Sequence, residues 1–275
     1  MSRSPLHSRT ALHSRTALTA AGAAALAALV CAPGNATAAT VTLPPAGAGF
    51  DYQIGGAYTP PSGVEVVTRD HEDAPVGGLY NICYVNAFQT QPGATDEWKD
   101  LLLKDADGNV VYDDEWAGEA VLDITTEDNR KAIAEKVGGW IDDCAAKGYQ
   151  AVEPDNYDTY DRFSDLLDAA QAQDLIQRLA DRAHAAGLAI AQKNAADLAE
   201  NREANGLDFA VAEECGKYEE CDTYTDAFDD HVIVIEYDDE GMANACAGWG
   251  DTLSIVKRDY DVLTPDSDEY VRETC

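Results

Sequence analysis

The stretch VIVIEYDD, residues 232–239, is a run of four apolar side chains that ends directly in acid. Two other stretches behave the same way: AVEPDN at 151–156 and FAVAEEC at 209–215. A continuous apolar run is the mark of a parallel strand buried on both faces. Carboxylates at the ends of several such strands, with helices between them, point to a parallel barrel with its chemistry at the strand ends. Two carboxylates facing one cleft are the basic equipment of a glycoside hydrolase.

Outward from these three runs, β and helical signals alternate along the chain. Strands are predicted at 50–54, 64–68, 80–85, 150–152, 188–191, 209–212, 232–235 and 253–256. A helix is expected from Thr126, as N-cap, to about Lys147, with Ile133, Val137, Trp140 and Ile141 on one apolar face. A second is expected from Ser164, with Leu166, Leu167, Leu175 and Leu179 facing the core and Gly187 closing it. Shorter helical turns are expected near 198–205 and 242–246. The segment 121–124 is apolar but short, and reads as loop. Eight strands with interposed helices favour a (β/α)8 barrel of the TIM type, in the α/β class. An open doubly wound sheet would bring a glycine-rich phosphate turn, and Gly55-Gly56 does not extend into one.

The chain opens with Arg3, Arg9 and Arg15, a small apolar core at 17–30 and the small-residue site Ala36-Thr37-Ala38. This predicts a cleaved signal peptide at 1–38 and a secreted, extracellular protein. The apolar run is short for a membrane span, so no anchor is expected. A Pro/Gly/Ala-rich arm at 39–49 precedes a single catalytic domain at 50–275, expected to act as a monomer. The leader holds three of the 19 basic residues and no acid, leaving 16 bases against 51 acids. Such a field repels nucleic acid and anionic lipid and attracts cationic ligands, including polymers of unacetylated amino sugars. The same acidity also suits solubility or salt tolerance. Beyond Cys31, six cysteines remain, an even number that suggests disulfides in an exported chain. Fifteen connectivities are open. Cys215 and Cys221 are the preferred local pair. No metal site and no cofactor are expected, because the cysteines lack a C-x-x-C spacing and the histidines are scattered.

In a barrel the strand ends share one mouth. The polar residues expected there include Asp51, Gln53, Asp70, Asn86, Asn156, Lys193, Asn194, Glu236, Tyr237 and Asp259. Asp155 on the fourth strand and Glu213 on the sixth would face each other, and they are the expected catalytic pair. Glu153 alternates with Asp155 and points the same way, as a lower-layer partner or a substrate contact. Glu214 alternates away from Glu213. Lys193 reads as a charge partner for a nearby acid or a sugar contact, ahead of a Schiff-base lysine. Tyr52, Tyr84, Tyr157, Tyr160 and Tyr237 have the chemistry to stack on sugar rings. No G-x-S-x-G elbow supports a serine nucleophile.

Six blocks in order, FDYQIGG (50–56), CYVNAFQTQP (83–92), AVEPDNYD (151–158), QKNA (192–195), AEECGKYEEC (212–221) and VIVIEYDD (232–239), resemble glycoside hydrolase family 114, the endo-α-1,4-polygalactosaminidases. The resemblance covers nearly all of 50–275. It implies a barrel that hydrolyses α-1,4-linked galactosamine polymers of exopolysaccharide and biofilm with retention of configuration. It also implies Asp155 as nucleophile and Glu213 as acid/base. Under that reading Asp51, Glu153, Glu236 and Asp259 would meet the ammonium groups of a cationic polysaccharide. Within the family's E-[EQ]-C block this chain carries E-E-C rather than E-Q-C, so an extra acid, Glu214, lies beside Glu213, and its 86–121 loop matches poorly. Hydrolysis of a related amino sugar or α-galactoside, or sugar binding without cleavage, are the alternatives.

Overall fold

The computed structural model describes residues 41–275. The expected leader and the first residues of the arm lie outside them. Eight strands follow one another round the sheet in chain order, each parallel to the next. They are β1 (Phe50–Gln53), β2 (Val66–Asp70), β3 (Tyr80–Asn86), β4 (Ala151–Asp155), β5 (Ala189–Lys193), β6 (Phe209–Glu213), β7 (Val232–Glu236) and β8 (Ser254–Arg258). All eight expected strands are present. Several run one to three residues further toward the mouth than expected, because the apolar run ends before the hydrogen-bonded ladder does. Strand β4 reaches Asp155 through Pro154, whose partner is Val85 of β3.

A ninth strand, β9 (Arg272–Glu273), was not predicted. It runs antiparallel beside β8. β8 lies against β1, and Arg272 crosses this seam to Phe50 O at 2.8 Å and Asp51 Oδ1 at 2.9 Å. Side chains therefore help to hold the (β/α)8 barrel shut.

The helices are α1 (Thr95–Trp98), α2 (Glu127–Lys147), α3 (Thr159–Arg162), α4 (Ala169–Ala185), α5 (Arg202–Asn205), α6 (Cys221–Phe228) and α7 (Asp239–Trp249). Thr126 caps α2 by accepting from Asn129 N, and Gly148 ends it in the left-handed region at φ 95°. The helix expected from Ser164 starts instead at Ala169. Asp168 and Gln171 form a reciprocal capping box there, which outcompetes the earlier start. Leu166, expected in the core, precedes that cap and is exposed. The 121–124 segment is loop with isolated bridges, Val121 to Gln89 and Leu122 to Leu102.

Two apolar layers result. Phe50, Tyr52, Ile82, Phe209, Ile233 and Ile235 fill the barrel. Val85 and Val152 face outward on the side of α2 and α4, with Ile133, Ile141, Leu175 and Leu179, whereas Val232 and Val234 face outward on the side of α6 and α7. Each such buried side chain contributes about 1.5–3 kcal/mol. Three disulfides pin the outer layer. Cys83–Cys144 joins β3 to α2, Cys246–Cys275 joins α7 to the chain end, and Cys215–Cys221 is the local pair expected from sequence. Among the described residues no helix is long and apolar enough to cross a membrane.

Candidate active site

Alternation along each strand decides which side chains reach the barrel axis. Ala151 faces inward on β4, so Glu153 and Asp155 follow it. Ala189 and Ala191 carry Lys193 inward on β5, and Phe209 and Val211 carry Glu213 on β6. The residue after each of these three strands takes a left-handed backbone: Asn156 at φ 67°, Asn194 at φ 49° and Glu214 at φ 58°. Asparagine tolerates that region better than most residues. The chain thus turns sharply away just past each inward side chain.

Lys193 is the hub. It is 1% exposed. Its Nζ lies 3.0 Å from Asp155 Oδ1, 3.1 Å from Glu153 Oε1 and 3.3 Å from Glu213 Oε2. Asp155 Oδ1 and Glu213 Oε2 therefore stand no further apart than the legs of 3.0 and 3.3 Å combined, about 6.3 Å. Asp155 accepts a second bond from Tyr84 OH at 2.7 Å. Glu213 accepts from Tyr237 OH, and from Asn194 Nδ2 at 3.0 Å, while its own N–H donates to Asn194 Oδ1 at 2.9 Å.

Burial works against the Asp155 carboxylate, but the Lys193 charge, the Tyr84 hydroxyl and the Asn156 N–H outweigh it and hold the group below the usual carboxylate range. Glu153 is buried beneath. Burial pushes it up to about 7, with Lys193 pulling the other way. Burial also lifts the Tyr84 and Tyr237 hydroxyls, and the neighbouring carboxylates add to it. Both therefore stay protonated and donate.

Above these groups opens a cleft of about 740 Å³. Eleven carboxylates line it against one cation, Arg162. Burial pushes Glu119 up to about 7 and Asp158 up to about 6. Trp116 and Tyr260 stack face to face at 5.0 Å on the rim, and Tyr260 meets Tyr237 edge-on at 5.3 Å.

The residues expected at the mouth divide into three groups. Asp155, Asn156, Asn194, Glu213, Tyr237 and Asp70 line the cleft. Glu153, Lys193 and Asn86 sit beneath it. Asn86 accepts from Asn156 Nδ2 at 3.0 Å and donates to Glu119 Oε2 at 3.0 Å. Asp51, Gln53, Glu236 and Asp259 are not among the lining residues, a correction to the sequence reading. Asp51 and Gln53 alternate with the inward Phe50 and Tyr52, and their partners are Tyr58, Arg69 and Arg272. Glu236 alternates with Ile235 and accepts from Gly216 N at 2.7 Å on the outside of the barrel. Asp259 holds the following loop by accepting from Leu263 N and Val271 N. Of the five tyrosines, Tyr84, Tyr160 and Tyr237 line the cleft, whereas Tyr52 and Tyr157 are buried. Glu214 lines it too, because its left-handed backbone cancels the strand alternation.

Sequence reasoning missed Glu119, Trp116 and Arg162. The first two lie in the long 86–121 connection, where no periodicity fixes direction. Arg162 ends α3 and donates to Asn156 Oδ1 at 2.8 Å and Asp113 Oδ2 at 2.7 Å. One group of metal-type donors, Cys215, Cys221 and Glu236, lies close together among the described residues. Its two sulfurs are bonded to each other, so no thiolate is offered.

The profile of glycoside-hydrolase family GH114 matches residues 31–275. No curated protein sequence matches the chain. Among solved structures, the chain is similar to Aspergillus fumigatus Ega3 in complex with galactosamine. The identity is 26% and the TM-score 0.67, over 86% of this chain and 98% of that one. It is also similar in fold to the glycoside hydrolase domain of PelA from Pseudomonas aeruginosa, at 14% identity and a TM-score of 0.54, over 82% of this chain and 97% of that one. A match across almost the whole barrel, with two strand-end carboxylates converging on one buried lysine, places the chain in family GH114 as a glycoside hydrolase.

Proposed function

We propose that the protein is a secreted enzyme that cleaves α-1,4-linked galactosamine polymers with retention of configuration. One observation carries the reading. Asp155 and Glu213 share the Lys193 ammonium at the floor of a cleft lined by eleven carboxylates and a single cation. The two oxygens that share the ammonium lie within about 6.3 Å of each other, a closeness that supports the retaining arrangement, in which the carboxyls stand nearer together than in inverting enzymes. The galactosamine bound to Ega3 supports the amino-sugar class. A neutral galactoside would leave the acidic lining without a partner.

In the first step an Asp155 oxygen attacks C1 and the glycosidic C1–O bond breaks. Its electron pair leaves with the departing oxygen, which takes the proton of Glu213. Asp155 is then an ester and Glu213 a carboxylate. In the second step Glu213 takes a proton from water, the water oxygen bonds to C1, and the Asp155 carboxylate is released. Asp155, held ionised, suits the nucleophile. The six paired cysteines and the leader support export through a signal peptide at 1–38 ahead of a catalytic domain at 50–275.

The test compares deacetylated and fully N-acetylated galactosamine polymer with neutral α-galactosides. Reducing ends and the anomer first released are read by NMR. The deacetylated polymer is cut fastest and the α-anomer appears first. Asp155→Asn and Glu213→Gln each lose about 10²–10⁴-fold in kcat while staying folded. Preference for the neutral galactoside, or no reducing ends from any polymer, would sink the reading.

A further inference from the structure

The retaining sequence moves one negative charge between two side chains. Before sugar transfer the charge is on Asp155 and Glu213 carries a proton. After transfer Asp155 is a neutral ester and Glu213 carries the charge. A fixed cation close to both oxygens would have a carboxylate to meet in either state. Lys193 Nζ holds that position, at 3.0 Å from Asp155 Oδ1 and 3.3 Å from Glu213 Oε2. We propose that Lys193 is a positioning residue whose single ammonium pairs with Asp155 before transfer and with Glu213 after it, balancing the one charge that the pair carries throughout. The inference rests on the two-carboxylate reading above and adds what holds that pair in register.

The surroundings of Lys193 fit one role and exclude two. It is buried beneath the cleft and is not among the residues that line it, so it is no sugar contact. Burial disfavours its charge, but the acids around it, Asp155 foremost, outweigh burial and keep the amine protonated, which removes its nucleophilicity. The groups facing it are Tyr52 from β1, Tyr84 from β3, Glu153 and Asp155 from β4, Glu213 from β6 and Tyr237 from β7. The tyrosines are neutral, because burial lifts all three.

Glu153 is the remaining rival for the ammonium. Its Oε1 accepts from Tyr52 OH at 2.9 Å, and its Oε2 has no hydrogen-bond partner among the described residues. An ionised carboxylate with a bare buried oxygen is costly, whereas a neutral acid tolerates the site. Burial pushing this group up to about 7 agrees with that geometry. Below that pH Glu153 is neutral and leaves the lysine charge to the catalytic pair.

The experiment measures kcat/KM and kcat from pH 2.5 to 8 on soluble galactosamine oligomers and on an aryl galactosaminide with a good leaving group. The acid limb of kcat/KM reports Asp155 in the free enzyme, and the limb of kcat on the aryl substrate reports the base in the glycosyl-enzyme. In the native protein the kcat/KM limb is expected below the usual carboxylate value of 3.8. Lys193→Met raises both limbs by about one to three pH units, the range for losing an adjacent opposite charge. KM on the plateau changes less than about threefold. Lys193→Arg keeps the charge and holds the limbs low.

If Lys193→Met does not fold, Lys193→Met with Glu153→Gln also removes the acid stranded beneath it and gives the same comparison. A native limb at or above about pH 5 overturns the inference with no variant at all. A folded charge-free variant whose limbs stay put overturns it too, as does movement of the kcat/KM limb alone. Hydrolysis surviving in Asp155→Asn and Glu213→Gln would instead overturn the two-carboxylate reading, so the two failures are distinct.

Discussion

Removing one hydroxyl, by Tyr84→Phe, isolates the second donor that keeps the proposed nucleophile charged. Tyr84 OH donates to Asp155 Oδ2 at 2.7 Å, and the ring is almost fully buried between β3 and the cleft floor. A hydrogen bond to a charged group contributes about 1.5–3 kcal/mol. At 1.36 kcal/mol per pH unit, its loss raises the Asp155 pKa by about one to two units. Tyr84 borders the cleft, so a water that replaces the hydroxyl would bring the effect to the lower end. The assay is kcat/KM on soluble galactosamine oligomer across pH 2.5–8, read as reducing ends. The acid limb moves up by about one to two units, while the plateau near neutral pH falls less than about tenfold, because Asp155 is ionised there in both proteins. A uniform fall in rate with the limb unmoved would refute the reasoning, since Tyr84 would then act on the sugar and not through Asp155.

Two further outcomes follow from the scaffold. Replacing Cys83 and Cys144 by alanine frees a loop with a sequence separation of 61 and is expected to lower unfolding free energy by about 4 kcal/mol, measured by denaturant midpoint, with kcat little changed. Opening Cys215–Cys221, separated by only 6, costs about 2 kcal/mol but frees the loop that carries Tyr218 and Glu220 on the cleft wall, so KM is expected to rise, measured by steady-state kinetics on the folded variant. Stability also depends on pH through Glu119, Glu153 and Glu236, each raised by burial from 4.5 to about 7. Between those values the folded chain holds protons that the unfolded chain has released, so stability falls as pH rises through the window. Calorimetry should give a higher melting temperature at pH 5 than at pH 8. The reverse order would show these three acids ionised in the folded protein.

Strand alternation in the sequence already separates inward from outward acids. Phe50 and Tyr52 are the apolar positions of β1, which already turns Asp51 and Gln53 outward. Ile233 and Ile235 do the same to Glu236 on β7. Reading every strand-end acid as a mouth residue ignored that parity. Glu214 is the opposite case. Parity sends it away from Glu213, but a left-handed backbone returns it to the cleft wall.

The eight strand segments, the inward direction of Asp155 and Glu213, the cap at Thr126 and the preference of Cys215 for Cys221 were legible in the sequence alone. Each depends on residues near one another along the chain, where periodicity and backbone preference act. Closure of the barrel decided the rest. It brought β4, β5 and β6 side by side, so that one ammonium reaches Glu153, Asp155 and Glu213 together. It also set Glu119 and Trp116 over the mouth and carried Arg272 across the seam to β1. Such contacts join residues tens to hundreds of positions apart, and no local pattern encodes a distance that only the folded barrel creates.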